Sequence, residues 1–306
     1  MHINSYNDGY DILSKDNKGE PFCKISPSQA ASFFTNTTIW YRETLLGEKQ
    51  VIENQDSLAL GNIVHYFAEQ ASLRLKPENP DKLVADYLST QKVESPAEIQ
   101  ALWKDMSNEL IKGCIHGHPK PLATEQFMFH KLLPGIYVGG TTDAIVLTPQ
   151  GAQEPDYYVK VSMWKKVNKQ EYEQAKSEGK ETKVDYSKMV VSIRDYKTAS
   201  TKPSGISYAY RLQAHIYAFL ATHYLGYKVS QIELQFVTRP TKTLPCRHFS
   251  FTEPFTEENL ATITDQLQLI AESVDFWNKN PDLRYLLAQD LRLKPQPKKK
   301  PLFLKD

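Results

Sequence analysis

The chain has 306 residues, 41% hydrophobic and 24% charged, with 37 basic against 36 acidic side chains and a formal net charge of +1. At about 100–200 residues per domain this predicts one large core with insertions and appendages. No apolar run approaches the roughly 18 residues of a membrane span, which excludes an integral membrane protein, and the near balance of charge excludes a broad positive field for nucleic acid.

Cys23, Cys114 and Cys246 lack CxxC spacing, so the sequence predicts neither a disulfide framework nor a four-cysteine metal site. The polar start Met1-His2-Ile3-Asn4-Ser5 lacks the regions of a secretory signal, and a reducing, cytoplasmic compartment is the expectation.

Residues 1–24, rich in Asn, Asp, Gly and Lys, read as a poorly ordered segment. Ser26 is a good N-cap with Pro27 at the first helical position, which predicts a helix carrying Ala30, Phe33 and Phe34. Beyond an Asn/Thr break at 36–38 come Trp40 and Tyr41. A second helix begins near Leu58, where Leu60, Ile63, Val64, Phe67, Ala68 and Ala71 recur at three-to-four spacing. Residues 77–121 read as polar and helical, with Pro and Gly interruptions.

The centre is richer in strands. Leu122–Lys131 and Gly135–Leu147, joined by Leu-Pro-Gly, predict a hairpin. Met189–Lys197 is apolar on both faces and reads as a central strand. Ile206–Leu225 predicts a helix, Gln231–Thr238 a fourth strand, and Glu257–Trp277 a final helix. Residues 151–188 hold eight lysines and seven acids and read as a charged insertion on the sheet, with a substrate-gripping flap as the sharper reading.

From Leu291 the chain reads LRLKPQPKKKPLFLKD, six Lys/Arg against one Asp, either a solvated terminus or a phosphate-contacting arm. The expected organisation is one domain over 25–290, with a helical part 25–121, a sheet core 122–240, C-terminal helices 255–290 and the basic tail 291–306. The order α-β-β-β-α-β predicts an α/β fold, a mixed central sheet flanked by helices.

Four places carry residues suited to chemistry. Asp195 and Lys197 share one face of a strand, and a carboxylate that holds a divalent cation beside an ammonium suits phosphodiester hydrolysis. An acid-x-Lys triplet occurs four times, but only this one ends an apolar β-run. Asp143 follows Gly139 and Gly140 in a second apolar run, where a lone acid is costly unless paired or metal-bound. Taken alone, it reads sooner as a strand-end cap or as half of a salt bridge with Arg194 or Lys197. Gly61 and His65 share a helical face, with Glu69 one turn on as a group that could orient the imidazole. Gln213 and Tyr217 share a face of the helix after Lys197, suited to a specific bond or to a buried backbone contact.

In this order the elements resemble the PD-(D/E)xK nuclease superfamily, in its RecB-like branch, whose relatives include CRISPR-adaptation and lambda-type phage exonucleases. That branch shows a GxxxH helix, a strand ending in G-x-x-D, a D-x-K strand and a QxxxY helix. Here these are Gly61/His65, Gly140/Asp143, Asp195/Lys197 and Gln213/Tyr217, and the stretch 25–47 is similar to the family's opening segment. The resemblance covers residues 25–240 and implies a restriction-endonuclease-like core.

By that resemblance, Asp143 and Asp195 hold one or two Mg²⁺ or Mn²⁺ ions, joined by the Tyr196 backbone carbonyl and His65. Lys197 is the catalytic lysine. Gln213 and Tyr217 contact DNA or brace the lysine, Arg211 lies among the DNA contacts, and Glu125 is an auxiliary acid. The oxygen ligands suit Mg²⁺, and the imidazole tilts the site toward Mn²⁺. Several relatives carry an iron–sulfur cluster, but here Asn36 stands at the first cysteine position and only Cys246 lies downstream, so no cluster is expected.

The implied activity is a metal-dependent deoxyribonuclease, an exonuclease acting on DNA ends in recombination, repair or phage replication. The alternative is a catalytically silent, DNA-binding subunit of a recombination complex. The implied partner is DNA, with a recombination protein or further copies of the chain as additional partners and no membrane.

Overall fold

The computed structural model describes residues 9–46, 55–149, 156–185, 188–241 and 243–281. The basic tail 291–306, the last part of the expected C-terminal helices and residues 1–8 lie outside these described residues.

The remainder of the segment expected to be poorly ordered is structured. Helix α1 (Tyr10–Asp16) and strand β1 (Cys23–Ile25) form there. Polar composition hid a few anchoring groups. Leu13 is fully buried beside Phe127 and Tyr137, and the Tyr137 hydroxyl donates to Asp16 Oδ2 at 2.7 Å. Helix α2 (Pro27–Thr35) opens on a capping box, with Gln29 N–H donating to Ser26 Oγ and Ser26 N–H to Gln29 Oε1. The Asn/Thr break is a junction where Asn36 ends α2 and its side chain caps α3 (Thr37–Thr44). Trp40 and Tyr41 of α3 are fully buried.

Three further helices follow, α4 (Gln55–Ser72), α5 (Pro80–Thr90) and α6 (Pro96–Cys114). The apolar stripe of α4 packs with Trp103, Met106 and Leu110 of α6 in a core separate from that of α2 and α3. Strand β2 (Ala123–Leu133) then pairs antiparallel with β3 (Ile136–Pro149).

The charged insertion has a fold of its own. Strands β4 (Asp156–Lys160), β5 (Trp164–Val167) and β6 (Thr182–Asp185) form a small sheet in the order β5-β4-β6, with α7 (Lys169–Ser177) connecting β5 to β6. The chain re-enters the core at β7 (Met189–Ala199) and continues through α8 (Tyr208–Leu225), β8 (Val229–Thr238), β9 (His248–Pro254) and α9 (Glu257–Lys279).

The main sheet runs β1-β3-β7-β8-β9, with β2 also paired to β3. β1 with β3 and β7 with β8 are parallel; β2 with β3, β3 with β7 and β8 with β9 are antiparallel. This is the mixed, helix-flanked sheet that the sequence predicts, extended by two strands, β1 and β9. Both were missed because a three-residue strand and a strand on the sheet's margin carry little apolar periodicity.

The faces differ. Ile193 and Ile232 pack under α2, α8 and α9, whereas Tyr196 and Val237 pack under α4 and α6. On this second face Arg194 and Glu233 are almost wholly buried, and Glu233 Oε2 accepts from Arg194 Nε at 2.8 Å. Arg194 Nη1 donates to the Cys114 carbonyl, and the amides of Gln231 and Gln235 donate to Glu233.

Removing one member of a buried pair strands the other's charge, at a cost of about 3–5 kcal/mol. Arg194→Met is therefore expected to lower stability to urea by about that amount, and adding Glu233→Gln to recover much of it. Equal stability of wild type and Arg194→Met would contradict the pairing described.

Candidate active site

The site begins where two strands part. The β3–β7 ladder runs from Pro149 opposite Met189 to Ala144 opposite Arg194 and ends there. One residue further, the side chain of Asp143 replaces the ladder, and its Oδ2 accepts the Tyr196 N–H at 2.6 Å. Asp143 is thus fixed by the neighbouring strand rather than by a salt bridge to Arg194.

Alternation along β7 sends Asp195 and Lys197 to the side of α8, and Lys197 Nζ lies 2.7 Å from Asp195 Oδ2. α8 supplies two further groups. Gln213 Oε1 accepts from Lys197 Nζ at 3.4 Å, and the ammonium lies 5.1 Å from the centre of the Tyr210 ring. The tyrosine adds cation–π attraction. Tyr210 was missed in the sequence, and its signal was its spacing: it precedes Gln213 by three residues on the same helical face. Tyr196 sits between the two, in register with Gln235, and its ring packs on the opposite side of the sheet.

His65 arrives from α4. Its Nδ1 lies 3.4 Å from Asp143 Oδ1, and its ring meets that of Tyr196 edge-on at 5.9 Å. Gly61, one turn earlier, faces Thr198, where an added Cβ would come 3.5 Å from Oγ1. Glu69 does not orient the imidazole; it takes a hydrogen bond from Gln70 and lies in the field of Glu125. Glu125 of β2 stands opposite Asp143 of β3, between the Thr124–Ala144 and Gln126–Thr142 pairs, and its backbone has a left-handed φ of 45°. For a residue other than glycine such a conformation costs on the order of 1–3 kcal/mol and gathers at functional sites.

Two further sequence candidates lie on α8. Arg211 is engaged by Glu253 of β9 through paired contacts of 2.6 and 2.7 Å. Its place on α8 turns it to the sheet's far edge, not to Lys197. Tyr217 is buried against Gly140, where an added Cβ would lie 3.4 Å from its ring and 2.6 Å from Pro27 Cδ. Gly140 thus admits the first turn of α2 beside the Tyr217 ring.

Burial works against every charge here, and the neighbours decide the balance. Burial raises the Asp143 carboxyl, but His65, Lys197 and the Tyr196 N–H outweigh it and hold the group below the usual carboxylate range. At Asp195 burial prevails over Lys197, aided by the charge of Asp143, and the carboxyl is raised. Burial lowers His65 and Lys197, but the carboxylates outweigh it and both are raised. Glu125 is pushed up to about 8 by burial, then by the charges of Asp143 and Glu69. Carboxyls driven apart in this way can divide proton-holding and charge-holding roles.

The donor types suit a hard divalent cation. The buried carboxylates of Asp143 and Asp195 lie in one cluster, with the His65 imidazole 3.4 Å from Asp143 and the charge of Asp143 felt at Glu125, while Asp195 Oδ2 is met by Lys197 Nζ at 2.7 Å. Among the described residues no three His, Cys, Asp or Glu side chains converge as a complete ligand set. Lys197 supplies positive charge beside Asp195, and the His65 imidazole lies against Asp143.

No family model and no curated protein matches the chain. Among solved structures it is similar to a protein of Eubacterium rectale provisionally assigned as an exonuclease, at 12% identity and a TM-score of 0.49, over 97% of this chain and 96% of that one. It is also similar to LHK-Exo in complex with dAMP, at 12% identity and a TM-score of 0.30, over 71% of this chain and 93% of that one. Likeness at this level leaves the chemistry to the site's own geometry. No helix among the described residues is long and apolar enough to cross a membrane.

Glu125 gives the site a pH signature. Between its ordinary 4.5 and about 8, the folded protein keeps a proton that the unfolded chain has lost. Its contribution to stability therefore falls as pH rises through that window and levels off above it. Urea unfolding in EDTA is expected to show this slope in wild type and a flatter one in Glu125→Gln. An identical slope in both would contradict it.

Proposed function

We propose that the protein is a metal-dependent deoxyribonuclease of the PD-(D/E)xK type, in its RecB-like branch, and an exonuclease acting on DNA ends. The observation that carries this reading is the meeting of Asp143, Asp195, Lys197, His65 and Gln213, from two strands and two helices distant in sequence, at the point where β3 and β7 part. Hydrolysis is attack of water on phosphorus, leaving a 5′-phosphate.

Asp143 and Asp195, with the Tyr196 carbonyl and His65, would hold Mg²⁺ or Mn²⁺, which supplies a lowered water pKa and neutralises phosphate charge. The chain's own groups do the rest. Lys197 is kept charged by Asp195 and Asp143 and held by Gln213 and Tyr210, so its ammonium is preorganised for the charge that develops on the phosphoryl oxygens. Asp143, held ionised, fixes His65 and the Tyr196 backbone together. Glu125, neutral at pH 7, can carry a proton toward the departing oxygen. DNA ends in recombination, repair or phage replication are the substrate class that this reading implies, with a recombination protein or a second copy as partner.

A second reading has one observation in its favour. The cluster's carboxylates already carry internal cations and no complete three-ligand set is present among the described residues, which suits a nuclease-fold subunit that grips DNA without cutting.

Cleavage separates the two. End-labelled linear single- and double-stranded DNA and a closed circle are incubated with Mg²⁺, Mn²⁺ or EDTA. The nuclease reading predicts metal-dependent loss of linear DNA alone, reduced at least about 100-fold by Asp195→Ala or Lys197→Ala while DNA binding persists. Cutting of the circle would make the enzyme an endonuclease. No cleavage with any metal, or full activity in Lys197→Ala, would overturn the reading.

A further inference from the structure

A groove of 750 Å³ lies between the inserted small sheet and the ends of α4 and α6. Its walls carry Arg74, just beyond α4; Lys120, beyond α6; and Lys169 and Lys176 of α7. Tyr157 and Tyr172 line it too, with ring centres 5.0 Å apart, and Lys176 Nζ lies 5.7 Å from the Tyr172 ring. Among the described residues of this lining Glu173 is the one acid.

The groove's cations differ from four of the insertion's other six lysines; Lys165 and Lys183, outside the groove, likewise stand in no ion pair among the described residues. Lys160, Lys166, Lys180 and Lys188 are spent in ion pairs with Glu181, Asp156, Glu178 and Asp156. Among the described residues none of Arg74, Lys120, Lys169 and Lys176 stands in an ion pair, and all four are exposed. Lys169, Tyr172 and Lys176 follow each other at spacings of three and four and therefore share one face of α7. In a chain whose net charge is only +1, four unpaired cations against one acid make a local field that a polyanion would satisfy. The surface is concave, which suits a strand of nucleic acid rather than a flat bilayer.

The groove also shares an element with the carboxylate cluster. His65 precedes Ser72, which lines the groove, by seven residues of α4, or about 10 Å along the helix axis.

We propose that this groove is a binding track for single-stranded DNA, with the insertion as one wall and the ends of α4 and α6 as the other. The inference rests on the nuclease reading in placing that enzyme's substrate, but it is tested by binding alone.

Binding of a labelled oligothymidine is followed by fluorescence anisotropy in EDTA over a series of salt concentrations. Each of Lys169→Gln/Lys176→Gln and Arg74→Gln/Lys120→Gln is expected to weaken binding and to reduce the slope of log K against log salt by about 1.4, or about 0.7 for each phosphate of a single strand that a removed cation would have neutralised. Lys160→Gln/Lys180→Gln, which removes paired lysines, should leave the slope unchanged. Should one groove variant fail to fold, the other decides. Unchanged slopes in the groove variants, or an equal loss in the Lys160/Lys180 variant, would overturn the proposal. So would polyglutamate binding with the same lysine dependence and equal strength, which would mark a surface for an acidic protein. The nuclease reading fails on a different result, the inability of wild type with Mn²⁺ to hydrolyse thymidine 5′-p-nitrophenyl phosphate, and that result leaves the anisotropy outcome standing.

Discussion

The hydrogen bond from the Tyr196 N–H to Asp143 Oδ2 is the joint on which the site is built. It forms where the β3–β7 ladder stops, so it satisfies a backbone donor that the sheet no longer serves and orients a buried carboxylate in the same contact. A buried ionised carboxylate needs further compensation. His65 reaches Asp143 from one side, and Lys197 acts on it from the other while contacting Asp195. Gln213 and Tyr210 then hold the lysine. Each group is placed by the charge of the one before it, and the cluster's opposed carboxyl shifts follow from that chain of dependence.

The division of the sheet's faces protects this arrangement. Asp195 and Lys197 point toward α8, while Arg194 and Tyr196, between and beside them, point toward α4 and α6. Arg194 has its own partner in Glu233, supported by Gln231 and Gln235, and so does not compete for the site's acids. Two buried ionic systems on adjacent residues of one strand remain separate because alternation turns them to opposite faces.

Much of this was legible in the sequence, for definite reasons. Apolar periodicity exposed α4, and the apolar run before Asp195 marked β7 as interior, because burial forces those patterns. Ser26 and Pro27 announced α2 through capping chemistry alone. The spacing of Asp195 and Lys197 and of Gly61 and His65 fixed shared faces, and the fold brings these pairs to one place. What the sequence hid was non-local. α1 is held by Leu13 and by the Asp16–Tyr137 bond, whose two residues are 121 positions apart. The engagement of Arg211 by Glu253 depends on β9, a strand that the pattern did not reveal, and the unpaired lysines of α7 become distinct only once their neighbours' ion pairs are seen.

On the proposed function, Asp143 and Asp195 would hold a divalent cation, with Asp143 oriented by the Tyr196 N–H. Calorimetric titration of the purified protein with Mn²⁺ tests it most directly, comparing wild type with Asp143→Asn, which keeps the side chain's shape and removes its charge. The account predicts a saturable Mn²⁺ site in wild type that is lost or greatly weakened in Asp143→Asn, in a variant that remains folded. Absence of Mn²⁺ binding to wild type, or binding unchanged by the substitution, would contradict it.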